Sequence, residues 1–210
     1  MNIAVIGTGN IGGNIGKIWA DKGHKIIYGT REPESERIKK LIGQTGNNSA
    51  ATDLYTAPLS ADIILLALPW KITRDFLKSA KGLENKIIID ATNPLKPGMS
   101  GMEISGNISA AEEYSIIVPG SKIVKAFNTV GSELLFNPVI ENSRLSLLFC
   151  GNDPEAKQTV KKLGEDIGFE MVDAGPLKNA LQLEHLALLW IELAYKQGYG
   201  DRIGFKLLKG

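Results

Sequence analysis

The chain opens Met1-Asn2-Ile3-Ala4-Val5-Ile6-Gly7-Thr8-Gly9-Asn10-Ile11-Gly12, and this stretch decides the fold. Ile3 to Ile6 is a short apolar run that predicts a buried strand ending at Gly7. Beyond it Ile11, Ile15, Ile18 and Trp19 recur at spacings of four, three and one, which is one face of a helix, and Gly23 is a fitting stop. Between strand and helix, Gly7 to Gly12 fits the pattern G-x-G-x-x-G in the place where it has a physical use. Gly7 permits the tight turn. Gly9 lets a pyrophosphate approach the backbone, because a Cβ there would collide with it. Gly12 lets helix and strand pack closely. The helix N-terminus then offers free N–H groups and a partial positive charge, with Thr8, Asn10 and Ile11 completing the cradle. The plain alternative is a glycine-rich turn that holds no ligand.

The second strand selects the nucleotide. Lys25-Ile26-Ile27-Tyr28 reads as a strand, and at its end stands Gly29-Thr30-Arg31. A site for NAD places Asp or Glu there to bind the ribose 2′-OH. Here no carboxylate comes before Glu32. A small residue, a hydroxyl and a guanidinium suit a 2′-phosphate, so Thr30 and Arg31 predict NADP(H) over NAD(H). Glu32, Glu34 and Glu36 stand nearby and oppose that positive field, and a solvated surface arginine is the alternative for Arg31.

Further along, strands and helices alternate. Glu34 to Leu41 is polar and helical, with Pro33 near its start. Asp62 to Leu68 is apolar on both faces, as central parallel strands are, and Pro69 ends it. Ile72, Phe76, Leu77 and Ala80 repeat at helical spacing. Lys86 to Asp90, Ile123 to Phe127, Leu145 to Cys150 and Phe169 to Val172 are further strands. Asp153-Pro154 starts a helix carrying Ala156, Val160, Leu163 and Ile167 on one face. This order predicts an α/β fold: a Rossmann-like, doubly wound, mostly parallel sheet. Thr92 to Ser115 is rich in Gly, Ser, Asn and Pro and predicts a long loop. Ala180 to Tyr195 is apolar nearly all round, so it predicts a buried helix that shapes a pocket and serves as a homodimer interface.

Composition narrows the function. With 210 residues, 43% hydrophobic and 22% charged, the chain is an ordinary globular protein rather than a disordered one. A net charge of +1 recommends neither nucleic acid nor an anionic membrane as partner. The single Cys150 excludes an internal disulfide and a thiolate-rich zinc site, and its apolar neighbours Leu147, Leu148 and Phe149 predict a buried, inert thiol. His24 and His185 lie in no metal or triad motif. No secretory signal and no uncharged apolar stretch of about 18 residues is found, which predicts a cytoplasmic protein.

Three strand ends carry candidate groups for a nicotinamide and its partner. Pro69 and Trp70 would line the ribose or nicotinamide slot, or simply start a helix. Asn93 would bind the nicotinamide ribose or amide, or close an Asn-Pro turn. Asn128 and Thr129 would bind the second substrate. Asp90 is read as a turn or capping residue, and Lys125 as a partly buried lysine in a strand, the one lysine that tempts a catalytic reading; no residue is assigned a catalytic role. No triad or paired carboxylates can be assembled. A reaction that needs no strong protein acid fits best, and hydride transfer between two bound cofactors is such a reaction.

These stretches, with Gly23-His24, Cys150-Gly151-Asn152-Asp153, Asp173-Ala174-Gly175-Pro176-Leu177 and Gly198 to Lys206, resemble the NADPH:coenzyme F420 oxidoreductases, the deazaflavin-linked NADP reductases. The resemblance runs over nearly the whole chain. It implies an NADP-binding Rossmann domain over residues 1–175 and a C-terminal helical segment over residues 176–210 that closes a deazaflavin pocket. It puts the pyrophosphate on Thr8, Gly9, Asn10 and Ile11, the 2′-phosphate on Thr30 and Arg31, and Trp70 near the nicotinamide. Archaeal members carry a lysine where this chain has Ser35, which leaves Arg37 or Lys39 to supplement the 2′-phosphate site. Asn128 stands where those enzymes have a histidine, and the Asp90 to Leu95 loop differs. The hydride acceptor is therefore left between coenzyme F420 and FMN or another flavin. Two other readings remain: a non-catalytic NADP(H)-binding module, and an NADPH-dependent reductase of a small imine or carbonyl with Lys125 or Thr129 as proton donor.

Overall fold

Strict alternation of side chains along each strand builds two layers of core, one on each face of the sheet. In β1 (Asn2–Ile6), Ile3 and Val5 face one layer while Ala4 and Ile6 face the other. In β4 (Ile63–Leu66) the same split sends Ile63 and Leu65 one way and Ile64 and Leu66 the other. This two-sided burial is why the strands read as continuous apolar runs. The computed structural model describes residues 1–104 and 106–210.

β1, β2 (Lys25–Thr30), β3 (Ser49–Asp53), β4, β5 (Ile87–Asp90) and β6 (Lys122–Lys125) are parallel and lie in the spatial order 3-2-1-4-5-6. A small hairpin of β7 (Val139–Ile140) and β8 (Ser143–Arg144) follows. β9 (Ser146–Gly151) then joins β6 antiparallel, and β10 (Glu170–Asp173) joins β9 parallel. Helices α1 (Asn10–Asp21), α2 (Glu36–Thr45) and α5 (Pro154–Ile167) cover one face through Ile15, Trp19, Leu41 and Leu163. Helices α3 (Trp70–Ser79), α4 (Ala110–Ile117) and α6 (Ala180–Ile191) cover the other through Phe76, Tyr114 and Leu183. The fold is a Rossmann-like, doubly wound, mostly parallel sheet, as its strand order requires.

The strand order reverses at β1, which pairs with β2 on one side and β4 on the other. That reversal opens a crevice beyond the carboxyl ends of β1 and β4, where open α/β sheets hold their ligands.

Three details differ from the sequence reading. β3 was not foreseen, because Ser49-Ala50-Ala51-Thr52-Asp53 is an edge strand with few large apolar residues. The expected loop Thr92–Ser115 is shorter, since α4 starts at Ala110; Ser105, within that stretch, lies outside the described residues. The start of α4 is a capping box. Glu112 N donates to Ser109 Oγ at 3.1 Å, and Ser109 N donates to Glu112 Oε2 at 2.9 Å. β6 ends at Lys125, not Phe127, because Phe127 adopts φ +64° and turns the chain out of the sheet.

After α6 a π turn (Glu192–Lys196) leads into a C-terminal tail that returns to the sheet. Trp190 Nε1 donates to Ile203 O at 2.9 Å, and Ser146 N donates to Phe205 O at 2.9 Å. Among the described residues no helix is long and apolar enough to cross a membrane.

Cys150 is buried in β9, and that burial pushes its thiol up to about 12. The native protein at pH 8 is therefore expected to resist iodoacetamide, with alkylation appearing only on unfolding. Mass spectrometry of native and denatured samples checks this. Stoichiometric labelling of the native state within minutes would contradict it.

Candidate functional site

The turn between β1 and α1 forms one wall of the crevice. Gly7 adopts φ +108°, and a Cβ on it would lie 2.5 Å from Ala67 O. A Cβ on Gly12 would lie 2.0 Å from Gly7 O. Both glycines are therefore required by the fold itself. Gly9 differs: it is exposed, and a Cβ on it would meet nothing within 4 Å. The open space over Gly9, at a helix N-terminus with no side-chain cap, fits a pyrophosphate held by main-chain amides. Asn10 and Ile11 form the first turn of α1, which carries no acidic residue to compete with an anion.

The cleft has a volume of about 380 Å³. Gly7, Thr8 and Gly9 line it from the turn, Thr30 and Arg31 from the end of β2, and Arg37 from α2, while Leu54, Leu68, Pro69 and Ile72 supply an apolar side. Thr30 is buried, and its Oγ1 accepts weakly from Glu32 N at 3.4 Å. Arg31 is exposed at the rim. Arg37 Nη1 donates to Thr8 O at 2.9 Å and Nη2 donates to Thr8 Oγ1 at 2.8 Å, so this guanidinium is fixed beside the glycine turn. Lys39 instead pairs with Glu36 at 3.1 Å on the exposed side of α2. Of the two supplements left by the sequence, the cleft contains Arg37. Glu32, Glu34 and Glu36 are exposed, so water screens their opposition to the two guanidinium groups.

The contrast at Gly9 makes a test. Gly9→Ala is expected to lower stability by about 1 kcal/mol at most, the effect of alanine at a helix N-cap. Nucleotide affinity should fall about tenfold or more, because the methyl occupies the cradle. Thermal melts and calorimetric titration measure the two separately. Unchanged affinity would remove the cradle assignment.

Pro69 caps α3, and Trp70 is its first residue, half-buried at the end of β4. The buried indole Nε1 of Trp70 has no hydrogen-bond partner among the described residues. The Arg74 guanidinium lies 5.8 Å from the centre of its ring. Asn93 and Asn128 bond reciprocally: Asn93 Nδ2 donates to Asn128 O at 2.9 Å, and Asn128 Nδ2 donates to Asn93 Oδ1 at 3.0 Å. Asn128 Nδ2 also donates to Leu183 O of α6 at 3.0 Å. Asn128 Oδ1 is buried without a partner among the described residues, a loss of about 1–3 kcal/mol that folding alone gives no reason to accept. Thr129 follows, also buried. The structure thus gathers Gly7, Thr8, Gly9, Thr30, Arg31 and Pro69 around one cleft, with Asn10, Ile11 and Gly12 in the first turn of α1 behind it. Asn93 and Asn128 form a separate bonded pair at the ends of β5 and β6.

Lys125 is not the exposed lysine that a catalytic role requires. Its side chain is 0% exposed, and its ammonium donates to Asp90 Oδ2 at 2.8 Å, Glu184 Oε1 at 2.9 Å and Thr92 O at 2.6 Å. All three of its donors face protein oxygens. Burial opposes its charge, but Asp90 and Glu184 outweigh burial and hold the ammonium above its ordinary value. Burial pushes the Glu184 carboxyl up despite the neighbouring lysine, and Ala110 N donates to that carboxyl at 3.0 Å. Asp90 is a turn residue as expected, its Oδ1 accepting from Thr92 N at 2.8 Å, and an ion-pair partner as well. Glu184 was missed by sequence reasoning. Its signal was a carboxylate at a position of an otherwise apolar helix, the mark of a buried charge with a partner elsewhere.

Comparison with known proteins agrees with this geometry. The family described as NADP oxidoreductase, coenzyme F420-dependent, matches residues 2–94. The chain is 31% identical to the F420-dependent NADP reductase of Methanocaldococcus jannaschii, over 97% of this chain and 98% of that one. It is 25% identical to metalloreductase STEAP3 of Rattus norvegicus over 89% of its own length, but spans only 36% of that longer protein. A crystal structure from Arthrobacter sp. FB24, provisionally named an F420-dependent NADP-reductase, superposes with a TM-score of 0.89 at 26% identity over 99% of both chains. A cradle for a diphosphate, two guanidinium groups lining the same cleft and likeness over nearly the full length to one reductase lead to one assignment: the chain belongs to the coenzyme F420-dependent NADP oxidoreductase family.

Proposed function

We propose that this protein transfers a hydride between NADP(H) and a deazaflavin of the coenzyme F420 type, with a flavin such as FMN as the alternative acceptor. The observation that carries the reading is the cleft at the sheet's reversal point. Its open glycine cradle, Thr30, Arg31 and Arg37 together suit a dinucleotide with an extra phosphate. Bound there, the nicotinamide supplies the hydride. The protein's part is to hold two rings in register and to exclude water. The amides after β1 hold the diphosphate, and Arg31 meets the 2′-phosphate. Pro69 lines the cleft and Trp70 begins α3 beside it, and the nicotinamide and the acceptor are assigned to Asn93, Asn128 and Thr129. Residues 176–210 close the acceptor pocket from the side of α6. The exposed Leu189, Tyr195 and Tyr199 offer the surface for a second copy, which sedimentation can check.

Reduction of an imine or carbonyl is the weaker reading, since it needs a proton donor within reach. The ammonium of Lys125 is enclosed by three protein oxygens. Mixing the protein with NADPH and, separately, coenzyme F420, FMN, FAD and riboflavin tests the proposal through loss of NADPH absorbance. Acceptor-dependent oxidation with F420 is expected. Tight NADPH binding with no turnover on any of the four would favour the non-catalytic module.

A further inference from the structure

Asn93 and Asn128 are held from three directions, and two of them lead back to the buried ions. Asn93 follows Thr92, whose carbonyl accepts from Lys125 Nζ at 2.6 Å and whose amide donates to Asp90 Oδ1 at 2.8 Å. Leu183, whose carbonyl holds Asn128 Nδ2 at 3.0 Å, precedes Glu184, which bonds Lys125 at 2.9 Å. Asn128 itself follows Phe127, turned to φ +64° and packed edge-on against Trp19 with ring centres 5.8 Å apart. A bulky residue in that backbone region is strained and persists only where its surroundings enforce it. Lys125 therefore ties the end of β5, the end of β6 and α6 to one point.

The amide pair so held is not optimised for folding, because Asn128 Oδ1 is left without a partner among the described residues. Both N–H groups of Asn128 are used on Asn93 Oδ1 and Leu183 O, which fixes which way its amide faces. Asn93 is the half-buried member, and among the described residues one of its two N–H groups is committed, to Asn128 O.

We propose that Asp90, Lys125 and Glu184 form a positioning cluster that locks the Asn93–Asn128 pair, so that Asn93 presents its remaining N–H to a carbonyl oxygen on a carboxamide or imide edge of a bound ring. The inference rests on the proposed hydride transfer and deepens it. Carbonyl oxygens of this kind occur on the nicotinamide and on the pyrimidinedione ring of a deazaflavin. The experiment separates these two sources.

The variant Asp90→Asn/Lys125→Met/Glu184→Gln removes all three charges while keeping side-chain shape. Asn93→Ala removes the presented group. Each is compared with wild type for affinity toward NADPH, affinity toward 2′-phospho-ADP-ribose (which lacks nicotinamide), and kcat and KM with coenzyme F420. Affinity for 2′-phospho-ADP-ribose is expected to stay the same in both variants. One other parameter should weaken about fivefold or more in both, the loss of one ordinary hydrogen bond. A weaker NADPH affinity assigns the carbonyl to the nicotinamide, and a raised KM for F420 assigns it to the acceptor. The two changes combined should cost no more than either alone. A triple variant that folds with every parameter unchanged makes the cluster a brace only and overturns the proposal. Should the triple variant not fold, Glu184→Leu alone, which removes the bond from Lys125 to α6 and leaves Lys125 paired with Asp90, is expected to shift the same parameter; no shift overturns it equally. Wild type that fails to reduce F420 refutes the hydride transfer itself. In that event NADPH and 2′-phospho-ADP-ribose affinities still decide between a nicotinamide contact and none.

Discussion

Arg31→Ala is expected to weaken NADPH by about 1.5–3 kcal/mol, roughly 10- to 150-fold, and to leave NADH nearly unchanged. The asymmetry follows from position. Arg31 lines the cleft at the end of β2 and has no partner to lose among the described residues, so its contribution is directed at what distinguishes the two coenzymes. Arg37 predicts a different pattern. Its guanidinium bonds both oxygens of Thr8, inside the turn that both coenzymes share. Arg37→Ala should therefore weaken NADPH and NADH together, with a surplus on NADPH. Calorimetric titration of both coenzymes at fixed ionic strength reads all four values. Equal weakening of NADPH and NADH by Arg31→Ala would remove the basis for NADP preference.

The largest effect on stability is expected at Lys125. Lys125→Ala strands Asp90 and Glu184, both 0% exposed, as buried carboxylates without their counter-charge. Breaking such a pair from one side typically costs about 3–5 kcal/mol. For a chain of this length that is a fall in Tm of about 6–20 °C. The loss should depend on pH, and the sign can be worked out. In the variant, burial without the ammonium holds the folded-state pKa of the Glu184 carboxyl still further above its unfolded value. A group raised in this way stabilises the fold at acid pH and loses that contribution as pH rises through its folded value. The deficit relative to wild type should therefore be smaller below the ordinary carboxylate range and grow toward neutrality. Denaturant melts across that range test it, and a deficit that shrinks as pH rises would contradict the assignment.

Much of the fold could be read along the chain, because two-sided burial leaves an unmistakable mark. Ile63-Ile64-Leu65-Leu66 admits hardly any other reading, and the glycines after Ile6 locate the crevice. What escaped was structure whose cause is not hydrophobic. β3 is set by its ladder to β2, and α4 by the reciprocal bonds of Ser109 and Glu112. At the site, spacing pointed to Thr30 and Arg31, which line the cleft, but could not choose between Arg37 and Lys39. That choice depends on the side of α2 each side chain leaves, and the partner waiting there is Thr8 for one and Glu36 for the other. The ion partners of Lys125 escaped for a related reason. Its partners come from residues 35 and 59 positions away in the chain, and no local pattern reports them.

The two bonds from Arg37 to Thr8 act as a splint on the glycine turn before any nucleotide arrives. The disorder such a turn would otherwise give up at encounter is removed when the chain folds. Entry should then proceed as docking onto a prepared surface, at similar speed for related nucleotides, and their preferences should be written in how slowly each one leaves.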